Sequence, residues 1–185
     1  MFTDEFRTPK SEFRNKQKPE GIIITHSVDL FLKNEVISAV EFDKHKPSFD
    51  VFSKYTWESL KLYRFPSHYF IEQVGNEVCT IVGTGAHLRS SFLYEYIAPS
   101  GILDNFIFIV MAGNFNKLMP NDDMYIRLGN IITSILYTYK MSGKSSNVFT
   151  LEDIISMFTL TDVNPKLDLQ PMKFFKMTEL RSNIY

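Results

Sequence analysis

The chain has 185 residues, 44% hydrophobic and 22% charged, with a formal net charge of -1. That balance suits one globular domain and argues against both a disordered chain and a general electrostatic grip on nucleic acid. Cys79 is the only cysteine, so no disulfide framework can form within the chain, and no apolar run approaches the roughly 18–20 residues of a membrane-spanning helix.

Residues 1–21 mix charges with the isolated Phe2, Phe6 and Phe13 and are broken by Pro9 and Pro19, which predicts an extended arm. No apolar signal-peptide core is visible there. From His26 to Phe42 a helix is expected. Ser27 suits its cap, Asp29 its positive end, and Val28, Phe31, Leu32, Val36 and Val40 share a face. A second helix is expected from Ser48 to the residue before Pro66, with a strand as the alternative over residues 51–57.

Residues 67–111 read as four strands of an antiparallel meander. His68–Val74 and Glu77–Val82 flank the two-residue turn Gly75-Asn76. Leu88–Ile97 reads as a third strand, Ala98–Gly101 as a type I turn, and Asn105–Ala112 as a fully apolar, buried fourth strand. A helix then starts at Asn121, carries Ile126, Ile131, Ile132, Ile135 and Leu136, and stops near Lys140 and Gly143. Thr150 and Asp153 stand at capping-box spacing before a short helix. Residues 160–185, interrupted by Pro165 and Pro171, read as a second extended arm. The expected fold is therefore α+β: one domain over residues 22–159, a four-stranded antiparallel meander flanked by helices, between arms 1–21 and 160–185.

The stretch Val78–Ser91 holds Gly83, Gly85 and His87 and invites a phosphate-binding reading. Leu88 stands where a dinucleotide loop needs its third glycine, and a strand pattern follows instead of a helix. A connection in which the glycines allow close backbone approach is the better reading. The histidines, His26, His45, His68 and His87, show no metal-ligand spacing. His68, Cys79 and His87 form a site only if the sheet brings all three together. Asp122, Asp123, Glu152 and Asp153 fall at helix starts, where capping accounts for them. No catalytic residues, cofactor or metal are assigned, and no enzyme activity is expected.

Alanine occurs only as Ala39, Ala86, Ala98 and Ala112, whereas Phe, Ile, Lys, Asn and Tyr abound. The last five have AT-rich codons, which points to an AT-rich bacterial, phage or viral genome. With two arms carrying apolar anchors, the leading expectation is a virion structural subunit of a neck, tail, ring or baseplate. It would self-associate and dock neighbouring subunits through Phe2, Phe6, Phe13, Leu167, Leu169, Met172, Phe174, Phe175 and Leu180. It would be assembled in the host cytoplasm, with no membrane and no sequence-specific nucleic acid as partner. The alternative is a small intracellular enzyme or ligand-binding domain with a site near His68, Cys79 and His87.

Overall fold

Two short runs decide the architecture. Ile22–Thr25 and Phe106–Met111 are apolar or β-branched without a polar alternate, the pattern of strands buried on both faces. The computed structural model describes residues 18–33, 55–62, 64–141 and 146–185. In it these runs become β1 (Gly21–His26) and β4 (Phe106–Met111), and every residue of both is buried. They pair in parallel, with Gly21 beside Phe106 and His26 beside Met111.

β2 (Tyr69–Val74) flanks β4 in parallel, and β3 (Glu77–Val82) returns antiparallel to β2 through Gly75-Asn76, where Gly75 has φ 62. β5 (Val148–Thr150) adds to the other side of β1, again in parallel. The sheet is five-stranded with order β3-β2-β4-β1-β5. The expected four-stranded antiparallel meander is thus corrected to an α/β fold with a mixed, mostly parallel sheet. Only the β2–β3 hairpin is antiparallel. Parallel neighbours need crossovers, and the crossovers supply the layers on either face.

One layer is α1 (Asp122–Thr138) with α3 (Met177–Ser182), packed on Ile22, Ile24, Ile107 and Ile109. α1 begins as expected, with the Asn121 side chain accepting the Met124 N–H at 2.8 Å. The other layer holds α2 (Leu151–Met157), a π-helical turn over Leu93–Ile97, and residues around Leu30 and Leu60, all against Ile23, Phe106, Phe108 and Val110. The Thr150 hydroxyl caps α2 by accepting the Asp153 N–H at 3.2 Å.

Four further expectations are revised. The stretch expected as a third strand winds instead into the π-helical turn, closed by Ala98 N–H to Leu93 C=O at 2.7 Å. Ser90 caps it, and Phe92, Leu93 and Ile97 are buried on one side. The helix expected from His26 is a single 3-10 turn, Ser27–Leu30, after which Phe31 is extended. The second helix is one helical turn over Tyr55–Glu58 among the described residues, and residues 34–54 lie outside them. The segment 160–185 is no extended arm. Leu167, Leu180 and Ile184 are buried in the chain's own core, Leu169, Met172 and Phe175 pack against it, and only Phe174 of the expected anchors here is exposed. Phe2, Phe6 and Phe13 lie outside the described residues. Among the described residues no helix is long and apolar enough to cross a membrane.

Candidate functional site: a cleft at the ends of two parallel strands

The site near His68, Cys79 and His87 does not assemble. His68 is buried and wholly engaged in the scaffold: its Nδ1 accepts the Phe108 N–H at 2.8 Å and its Nε2 lies 2.9 Å from the Leu88 carbonyl oxygen. The acceptor role of Nδ1 places the proton on Nε2. Cys79 sits on the edge strand opposite Glu72, whereas the backbone partner of His68 is Gly83. Four residues of strand, roughly 13 Å, separate the two levels. His87 is exposed beyond them. Gly83 does permit a close approach, since a Cβ there would stand 2.3 Å from the Ser67 carbonyl oxygen. Among the described residues no group of three His, Cys, Asp or Glu side chains is placed to hold a metal ion.

The residues that do converge lie at the carboxyl ends of β1 and β5. After β1 the chain leaves toward the α2 layer through Ser27–Leu30, and after β4 it leaves toward α1 on the opposite face. Where neighbouring parallel strands diverge in this way, a crevice opens between the exits. Ser27 ties the two exits at their root, its Oγ accepting the Gly113 N–H at 2.9 Å and donating to the Gly113 carbonyl at 3.2 Å.

Beside this divergence, between the ends of β1 and β5 and the segment 170–177, lies a cleft of about 250 Å³ lined by Thr25, Asp29, Thr150, Glu152, Gln170 and Phe175, among others. A second lobe of about 250 Å³ shares Asp29, Leu151, Glu152 and Gln170 and runs on past Ile155, Leu169 and Pro171. One compartment is lined largely by polar groups and the other largely by apolar ones. Asp29, Glu152 and Asp153 supply carboxylates, and among the described residues no lysine or arginine lines either lobe.

The floor is built from Asp29 and Thr25, and His26 lies behind Asp29 without lining the cleft; all three are buried. The His26 Nδ1 accepts the Phe115 N–H at 3.0 Å, which leaves the proton on Nε2, 2.9 Å from the Gln170 carbonyl oxygen and 3.3 Å from Asp29 Oδ1. Asp29 accepts the Gln170 N–H at Oδ1, at 2.7 Å, and the Thr25 hydroxyl at Oδ2. His26 and Asp29 thus hold hydrogen-bond partners within the protein, whereas Glu152 and Asp153, the other carboxylates of the cleft, are exposed.

Several solved structures share this fold. The Drosophila peptidoglycan recognition protein LB aligns over 86% of this chain and 92% of its own, with a TM-score of 0.53 and 16% identity. Peptidoglycan recognition protein 1 of Manduca sexta aligns over 83% and 79%, with a TM-score of 0.53 and 14% identity. The ectodomain complex of peptidoglycan recognition proteins LCa and LCx, solved with tracheal cytotoxin bound, aligns over 78% of each chain, with a TM-score of 0.52 and 13% identity. The fold is that of a peptidoglycan recognition protein. Identity this low carries the fold alone. No family model matches the sequence, and no curated protein does.

The recognition-protein fold corrects the expectation of a virion subunit in a neck, tail, ring or baseplate. That expectation rested on two unfolded arms and on the lack of a site. The C-terminal segment instead folds back and walls a cleft. Thr25, Asp29 and Gln170 escaped the sequence reading. The one available signal was the unbroken run Ile22–Thr25, which marks a buried parallel strand whose carboxyl end opens such a crevice.

Proposed function

We propose that this chain is a ligand-binding domain for peptidoglycan fragments, and that it binds without cleaving them. The carrying observation is the cleft at the carboxyl ends of β1 and β5, whose floor carboxylate Asp29 and the imidazole of His26 behind it are held by internal hydrogen bonds. A general base or nucleophile must have an atom directed at the substrate. His26 and Asp29 direct theirs at Phe115, Gln170 and Thr25. The fold supports the ligand class, because proteins of this fold bind peptidoglycan fragments, tracheal cytotoxin among them. The two-lobed shape suits an extended ligand with a polar and an apolar part, such as a glycan joined to a short peptide.

The test is paired. Titration calorimetry with tracheal cytotoxin and with other purified peptidoglycan fragments should show saturable binding. Incubation of peptidoglycan with the protein, followed by chromatography, should show no release of peptide from glycan. Absence of binding to every fragment removes the ligand assignment, and release of peptide removes the non-catalytic one.

A further inference from the structure

Gln170 has every polar group it owns in a hydrogen bond. Its backbone N–H donates to Asp29 Oδ1 at 2.7 Å and its carbonyl accepts from His26 Nε2 at 2.9 Å. Its side-chain Nε2 donates to Asp168 Oδ2 at 3.0 Å, and its Oε1 accepts from Asn116 Nδ2 at 3.3 Å. These bonds join three segments remote in sequence: the exit of β1, the β4–α1 loop, and the strand-like strap around residues 166–175. The same strap is pinned at Lys166 and Asp168 to the backbone of Lys33 and Phe31, and Phe174 N–H donates to the Phe115 carbonyl at 2.9 Å. Gln170 lines both lobes of the cleft.

The direction of the side-chain relay is dictated by chemistry. A carboxylate only accepts, so Asp168 requires the NH2 end of Gln170. That leaves Oε1 for Asn116, which must then present its own NH2. Turning either amide puts oxygen against oxygen or nitrogen against nitrogen.

We propose that Gln170 is the positioning residue of this cleft, holding its strap wall in place by linking the strap to the β4–α1 loop behind it through the Asn116–Gln170–Asp168 relay. The proposal rests on the peptidoglycan-fragment reading above for its ligand, and on hydrogen bonding alone for the relay. It identifies a substitution that abolishes one bond while keeping size and shape, and a second that restores it with donor and acceptor exchanged. Gln170→Glu places a carboxylate against Asp168, and Asp168→Asn in the same chain restores a donor to face it.

The experiment measures the dissociation constant for tracheal cytotoxin and the Tm of wild type, Gln170→Glu, and the double variant Gln170→Glu/Asp168→Asn. Gln170→Glu should weaken binding by about tenfold, and the double variant should return to within about threefold of wild type, with all three folding cooperatively. A purely structural role would lower Tm and leave affinity untouched. Unchanged affinity in Gln170→Glu, or no recovery in the double variant, overturns the proposal. Hydrogen exchange at residues 113–118 and 166–175 provides a readout that needs no ligand. It should rise in Gln170→Glu and fall again in the double variant. A wild type that binds no fragment defeats the functional reading, and exchange that fails to follow this pattern defeats the relay.

Discussion

Two buried histidines do equivalent work at different places. His68 joins the entry of β2 to Phe108 and to the Leu88 carbonyl, and His26 joins the end of β1 to Phe115 and Gln170. In each, Nδ1 accepts a backbone N–H, and the ring lies in space closed to water. Replacing His68 by Phe keeps an aromatic ring, though a larger one, and strands a donor and an acceptor in the core. Each orphaned group costs about 1–3 kcal/mol, so His68→Phe should lose roughly 2–6 kcal/mol in urea unfolding. A change below about 0.5 kcal/mol, typical of a surface substitution, would show that the ring is not structural. Cys79→Ala, by contrast, should leave fragment affinity within about twofold of wild type, well under the tenfold that marks a lost contact.

Phenols set the alkaline limit. Burial pushes Tyr69, Tyr96 and Tyr125 above the ordinary value of 10.0, aided by Tyr139 beside Tyr69 and Glu95 beside Tyr96. For Tyr125 the hydrogen bond from the Lys176 N–H opposes that rise without cancelling it. The folded state thus favours the neutral phenol, while the unfolded chain ionises near 10. The contribution is complete below pH 10 and is lost as pH rises through the raised values. Thermal melts from about pH 8 to about pH 11 should show Tm falling only above about 10, together with tyrosinate absorbance. Burial also works on Arg89, where it alone would lower the pKa; the hydrogen bond and charge of Asp104, 2.8 Å away, more than reverse it. That pair fastens the segment after β3 to the turn before β4.

Among elements, the contact of α1 with α3 depends on one glycine. A Cβ at Gly129 would lie 2.3 Å from the Asn183 carbonyl oxygen and 2.6 Å from its Cβ. Alanine favours helix over glycine by about 1 kcal/mol, yet here the backbone of the chain's end must give way. Gly129→Ala should therefore destabilise by about 1–3 kcal/mol. A raised Tm in Gly129→Ala would mean that the end of the chain does not pack on α1.

The elements that local chemistry specifies were legible in the sequence. Asn121 and Thr150 cap their helices, Gly75-Asn76 turns the hairpin, and β4 is a buried apolar run. What escaped depends on partners far away. β1 is a six-residue run beside a polar segment, and its sense is set by β4, more than 80 positions on. Leu93–Ile97 has strand-like residues, but Ser90 and the burial of Phe92 against Phe108 wind it into a π turn. Asp29 looked like a helix-start charge because its carboxylate partner, the Gln170 N–H, is 141 positions away. No local pattern marks Gln170 at all, since half of its bonds are made by its backbone.

At the scale of the molecule, the C-terminal segment completes the domain. It buries Leu167 and Leu180 in the two layers and supplies the wall of the cleft. On the proposed function, ligand binding falls in the cleft lined by Thr25, Asp29, Thr150 and Gln170. The most direct test is titration of tracheal cytotoxin into isotope-labelled protein, followed by amide NMR shifts. Saturable shifts centred on those four residues are predicted. No shifts, or shifts centred on His68, Cys79 and His87, would contradict the account.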